Sequence, residues 1–179
     1  MLPTILIAIA AIVVLFVIVI SLRPADFRIT RTGRISAPVD VVFENVNDLH
    51  KWEAWSPWAK MDPNAKNNFA GPAAGPGSSM EWSGNNKVGA GRMTITDSRA
   101  NEKIEIKLEF FKPFKATNTA EFTFKPEGGQ TSVTWMMSGK NNFMAKAVTL
   151  VMNCDKMVGG QFEQGLANLN SVSGELAKK

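Results

Sequence analysis

The sequence predicts an α+β fold: an antiparallel sheet packed on a long C-terminal helix, behind an N-terminal helix able to cross a membrane. Three observations predict it. Residues 2–22 carry no charged side chain. From Ser79 to Gly139 apolar residues recur at every second position, between connections too short for parallel crossovers of about a dozen residues. From Phe143 onward the apolar spacing changes to three and four, the mark of an amphipathic helix.

The first segment decides how the chain meets its surroundings. As a helix, Leu2–Leu22 extends roughly 31 Å at about 1.5 Å per residue, close to a hydrocarbon thickness of ~30 Å. A removed signal peptide has a basic start and small residues at its cleavage site, whereas this chain begins Met-Leu-Pro-Thr and leaves the run at Val-Ile-Val-Ile-Ser-Leu-Arg. The expected organisation is therefore a transmembrane anchor over residues 1–22 and one domain over residues 23–179. Arg23, Arg28, Arg31 and Arg34 follow the span, so the positive-inside bias places that domain on the cytoplasmic side of a single-pass membrane protein. The lone Cys154 excludes an internal disulfide.

Beyond the anchor, Phe27–Ile35 alternates as a first strand. Pro38 and Asp40 suit the start of a helix whose apolar stripe is Val39, Val42, Phe43 and Val46. Asp48 is placed to cap a second short helix carrying Trp52, Trp55 and Trp58, which Pro57 ends. Asp62–Gly77 is a Pro/Gly/Asn-rich connection with room for one short strand near Phe69. Strands then follow around Met80 and Trp82, and around Met93 and Ile95. The cleanest alternation is Ile104, Ile106, Leu108 and Phe110; Ala120, Phe122 and Phe124 and then Val133, Trp135 and Met137 complete the set. The final helix is expected to run from Phe143 to Leu176, with Gly159-Gly160 marking a kink or a break between a shorter and a longer piece.

Chemistry-bearing motifs are scarce. One histidine and one cysteine, His50 and Cys154, provide neither a nucleophile pair nor a metal set, and no serine sits in a Gly-x-Ser-x-Gly elbow. Gly84 and Gly89 have a phosphate-loop gap, but Ala90 and Gly91 follow where Lys and Ser/Thr are required. No catalytic residue, metal or cofactor is assigned. Net charge is +4, yet Lys103, Glu105, Lys107 and Glu109 alternate in sign along one strand face. That is a mixed solvated surface, not a basic stripe for nucleic acid, and the arginines after the span suit anionic lipid headgroups. Asp97 shares the parity of Met93 and Ile95 and is the best candidate for a buried general acid or base, with Glu121 behind it.

The inward positions are unusually rich in large, adaptable side chains. Ligand-binding candidates on the strands are Met80, Trp82, Met93, Ile106, Leu108, Phe110, Phe122, Phe124, Trp135 and Met137. Trp55, Trp58, Met152, Met157 and Phe162 join them from the helices. Such a lining suits a cavity for apolar molecules of loose shape; it equally builds a closed core, and the residues alone leave both open.

Four strings add to this reading: ISAPVDVVFENVNDLHKWEAWSPW, GRMTITDSRANEKIEIKLEF, FTFKPEGGQTSVTWMMSG and FEQGLANLNSV. Together, from Phe27 to Leu176, they resemble the polyketide-cyclase-like branch of the START/SRPBCC superfamily, although the Ala37-Pro38…Val42-Phe43 opening has one residue more than the usual spacing. The resemblance implies a helix-grip fold, a curved antiparallel sheet around the long C-terminal helix, with two small helices closing one end. It also implies an internal cavity for a hydrophobic small molecule or lipid, but no catalytic motif to carry over. The expected function is membrane-anchored binding of such a ligand. Its rivals are a cyclase- or hydrolase-like enzyme using a buried carboxylate and a non-catalytic interaction module with a filled core.

Overall fold

The computed structural model describes residues 2–178. Helix α1 covers Leu2–Leu22 and leads through three residues into β1, Asp26–Ile35. Helix α2 (Val39–Asn47) follows, then a 3-10 turn at Leu49–Lys51, helix α3 (Trp52–Trp55) and a second 3-10 turn at Pro57–Lys60. The remaining strands are β2 (Lys66–Ala70), β3 (Ser79–Ser83), β4 (Ala90–Arg99), β5 (Lys103–Lys112), β6 (Ala116–Glu127) and β7 (Gln130–Lys140). Helices α4 (Phe143–Val151) and α5 (Cys154–Leu176) end the chain.

All seven strands join one antiparallel sheet in the order β1-β7-β6-β5-β4-β3-β2. The predicted helix-grip arrangement is present: α5 packs along β1, with α2, α3 and the second 3-10 turn against its flank. The period-two residues of the sequence form rows across the face toward α5. One row runs Ile95–Ile106–Ala120–Met137–Ile29, and the next runs Ile104–Phe122–Trp135–Arg31. Opposite them, on the outer face, Lys103 pairs with Glu121 at 2.7 Å and with Glu105 at 3.2 Å. Those hydrogen bonds, Glu121 first, raise the Lys103 pKa above the ordinary lysine range.

The expected helix break is displaced. The sequence points to Gly159-Gly160, but α5 runs through both glycines and the break falls at Met152–Asn153. Asn153 starts α5, its side chain accepting from the Lys156 N–H at 2.9 Å. Gly159 serves packing instead: a Cβ there would lie 2.0 Å from a guanidinium nitrogen of Arg31. That guanidinium bonds Asp155 at 3.0 Å and Glu163 at 2.7 Å, fastening α5 to β1. Upstream of the break, α4 is uncoupled from the core. None of its residues is buried, and it packs against α1.

Candidate functional site

The tryptophan segment explains how one end of the inner face is closed. The last carbonyls of a helix have no partner within it. Here the indole N–H of Trp52 donates to the Val46 carbonyl at 2.8 Å, and that of Trp55 donates to the Asn45 carbonyl at 3.0 Å. Asp48 holds the turn between them by accepting from the His50 N–H. The spacing of three thus folds α3 back onto the end of α2 and turns its rings toward the sheet.

Those rings gather around Trp135. Its indole stacks on Phe162 at 4.2 Å and 8°, tilts on Phe122 at 4.7 Å, and takes Trp52, Trp55 and Trp58 edge-on at 5.7–6.3 Å. Gly165 makes room, since a Cβ there would sit 2.7 Å from the Trp135 ring. Beyond the cluster, Phe43 meets Phe124 edge-on at 5.4 Å, sealing the region under α2. Trp55, Phe122 and Ile106 are fully buried, and Phe124, Trp135 and Phe162 nearly so.

Toward the α1 end the inner face loosens. Trp82, Leu108, Phe110 and Met137 are half-buried there, as are Trp58 at the edge of the aromatic cluster and Phe27 on β1; Met80 and Met93 lie beneath them. Trp82 lies over Gly91, where a Cβ would come within 2.5 Å of its ring, and meets Phe110 edge-on at 5.7 Å. The surface is mostly apolar, with Asn118 between Leu108 and Gly139 as its polar interruption, and is floored by sulfur and aromatic groups. Phe27 belongs to it but was not a candidate. Its register opposite Gly139, a strand glycine of the kind that marks close approach, is the signal that could have found it.

Met152 and Met157 are placed differently from the expectation. They are 46% and 51% exposed, outside the inner face: Met152 stands in the non-helical break, and Met157 lies about 140° around α5 from Phe162 at ~100° per residue, where Val158 takes the core position instead. Two hollows flank β1, neither lined by any of the fifteen candidates. One, about 330 Å³, lies between Gly33 and Leu166; the other, about 440 Å³, lies beside Phe27 and Gly139.

Asp97 also departs from its expected face. A β-bulge between Ile95 and Asp97 puts Asp97 opposite Glu105, an outward residue, and Ser98 takes the inner position instead, donating to Asn47 at 2.7 Å. Asp97 contacts Arg99, and Glu121 is bound by Lys103 on the outer face. Asp62 is buried in a loop, its carboxylate accepting from the Asn64 and Asn85 N–H groups to hold the β3–β4 turn. No cluster among the described residues has the ligands for a metal ion.

A family model described as "Polyketide cyclase / dehydrase and lipid transport" matches residues 26–174. No functionally curated protein matches the chain by sequence. Among solved structures the fold is similar to protein CV1439 of Chromobacterium violaceum, with 15% identity, TM-score 0.58, and coverage of 84% of this chain and 98% of that one. It is also similar to protein MLL2253 of Mesorhizobium loti, at 16% identity and TM-score 0.60 over 83% of this chain and 98% of that one. A third likeness is to the di-domain aromatase/cyclase StfQ of the steffimycin biosynthetic pathway, at 11% identity and TM-score 0.60, covering 87% of this chain and 53% of StfQ. At these identities the structural likenesses speak to the fold alone.

Proposed function

The chain belongs to the polyketide cyclase / dehydrase and lipid transport family, and we propose that this member binds a hydrophobic small molecule or lipid while anchored to a membrane by α1. The observation that carries the reading is the uneven closure of the inner face. Six rings close one half, whereas at the α1 end Trp82, Leu108, Phe110 and Met137 stay half-buried over Met80 and Met93. Thioether and aromatic side chains adapt to ligands of variable outline, so this half is where an apolar guest gains most from leaving water.

The anchor reading is supported by the length and apolarity of Leu2–Leu22, of which only Ile20 is buried by the rest of the chain. Residues 1–22 then form the single span and residues 23–179 the ligand-binding domain. The arginines following the span favour a cytoplasmic domain. Tethering holds the apolar surface beside a bilayer, which raises the effective concentration of any lipid-soluble ligand.

Native mass spectrometry of the full chain, extracted from membranes in mild detergent, tests the binding. A retained apolar adduct is expected. Leu108→Trp and Met137→Trp, which fill the open half, are expected to reduce its occupancy about tenfold, the equivalent of about 1.4 kcal/mol. A chain that carries no adduct and accepts none from added fatty acid or sterol overturns the reading.

A further inference from the structure

We infer that the α1 end of the domain is itself a lipid-contact face, with the β5–β6 turn and the outer surface of α4 seated in the interfacial layer of the bilayer that α1 enters. The inference rests on α1 being a membrane anchor and goes beyond it, because an anchor alone leaves its cargo domain free to stand off in water.

The first support is where exposed apolar groups lie. Asp26 sits opposite Lys140, Gly139 opposite Asn118, and Phe110 opposite Ala116. The start of β1, the end of β7 and the β5–β6 turn therefore share one end of the sheet. Phe111, at the end of β5, and Phe114, in the turn, protrude there, 40% and 59% exposed. Phe143, Met144 and Val151 are exposed on α4, which follows directly from β7. The turns at the opposite end, Ala100–Glu102 and Gly128–Gly129, carry no exposed large apolar side chain. Outside α1, Phe69, which stacks on His50, and Leu176, in the last turn of α5, are exposed elsewhere; scattered groups of that kind need no explanation, but a gathering at one end of the sheet does.

The second support is the tether. Only Arg23, Pro24 and Ala25 separate α1 from β1, a reach of about 10 Å at ~3.3–3.6 Å per residue. The link is also pinned: the Asn141 N–H donates to the Ala25 carbonyl at 2.7 Å, and Lys146 Nζ of α4 reaches the Ser21 carbonyl at 3.4 Å. Ile20, near the end of α1, is buried completely, and α4 packs against α1. Where α1 leaves the hydrocarbon, α4 must lie alongside, at the depth where amphipathic helices rest.

The third support is charge. Arg23, Arg28, Lys112, Lys115, Lys140, Lys146 and Lys156 surround this end, against the carboxylates of Asp26, of Asp155, which Arg31 already engages, and of Glu109, which Lys107 engages. Phenylalanines flanked by lysines suit a surface of acyl chains beneath anionic headgroups.

The full chain, with Cys154→Ala as background, is labelled at one introduced cysteine with an environment-sensitive fluorophore and reconstituted in phosphatidylcholine vesicles containing doxyl-labelled lipid. Probes at Phe114→Cys and Val151→Cys are expected to be quenched more strongly by doxyl groups near the headgroup than by doxyl groups deep in the acyl chain, one at Val13→Cys in α1 to be quenched with the reverse preference, and one at Ala100→Cys to stay unquenched. Quenching at Val13 alone overturns the lipid-contact face and leaves the anchor standing. No quenching at Val13 overturns the anchor, and the inference with it. Adding phosphatidylglycerol is expected to shift emission at Phe114 further to the blue; an unchanged spectrum refutes the role given to the lysines.

Discussion

The two halves of the inner face are made of similar residues and behave differently. Under α2 and α3, aromatic rings from four elements converge on Trp135, each satisfied polar edge tied to a backbone carbonyl. At the α1 end, methionine, leucine and aromatic side chains line strands that no small helix covers, and they remain half-buried. Closure here depends on geometry more than on composition. Indole donors need acceptors: those of Trp52 and Trp55 find the free carbonyls at the end of α2 and draw α3 over the sheet, whereas Trp82 in the open half donates to the Val88 carbonyl of its own hairpin and draws nothing over it.

Substitutions can break this contrast in order of expected size. Trp135→Ala removes the ring on which the others converge and is expected to cost about 3–5 kcal/mol, read as a lowered urea midpoint of the detergent-solubilised chain. Gly165→Ala forces a methyl into that ring's space and is expected to cost about 1–3 kcal/mol in the same titration. Leu108→Ala, in the open half, is expected to cost about 1 kcal/mol or less; a loss as large as that of Trp135→Ala would mean the two halves are equally closed.

The smallest effect concerns acid. The Arg31 hydrogen bond holds the Asp155 carboxyl below the usual aspartate range. A depressed folded-state pKa contributes stability above the unfolded value of about 3.9, lost as pH falls through the folded one. Asp155→Asn should therefore leave stability nearly unchanged at pH values below the folded-state pKa and lower it slightly at neutral pH, flattening the acid limb of the pH profile. A variant with an unaltered acid limb shows that the Arg31 clamp contributes nothing measurable.

Much of the fold was legible because β5 and β7 alternate cleanly and their connections are short. The misreadings share a cause: periodicity carries phase only while the backbone is regular. One inserted residue at the bulge turned Asp97 outward, and the break at Met152 and Asn153 took Met152 out of any helical stripe; Met157 differs, being one position off the α5 stripe that Val158 occupies. The stripe on α4 was real, but a period does not say which surface it covers, and α4 covers α1. Glycine misled in α5, where Gly159 answers to a guanidinium rather than to a bend. Of the site, the inward parity of the strand candidates was readable from alternation. Their division into a closed and an open half was not, because that depends on where α2 and α3 fold back.

The pairing of β1 with β7 also orders events during synthesis. Asp26 emerges from the ribosome just after the apolar helix, yet its register partner is Lys140, synthesised only after every other strand has begun. Until β7 arrives, the opening strand has no neighbour on either side, and β2 through β6 must assemble as a growing meander without it. Contacts so far apart in the chain close late and slowly. A nascent polypeptide halted before residue 130 therefore carries an orphan strand, a substrate for chaperones rather than a smaller version of the finished protein.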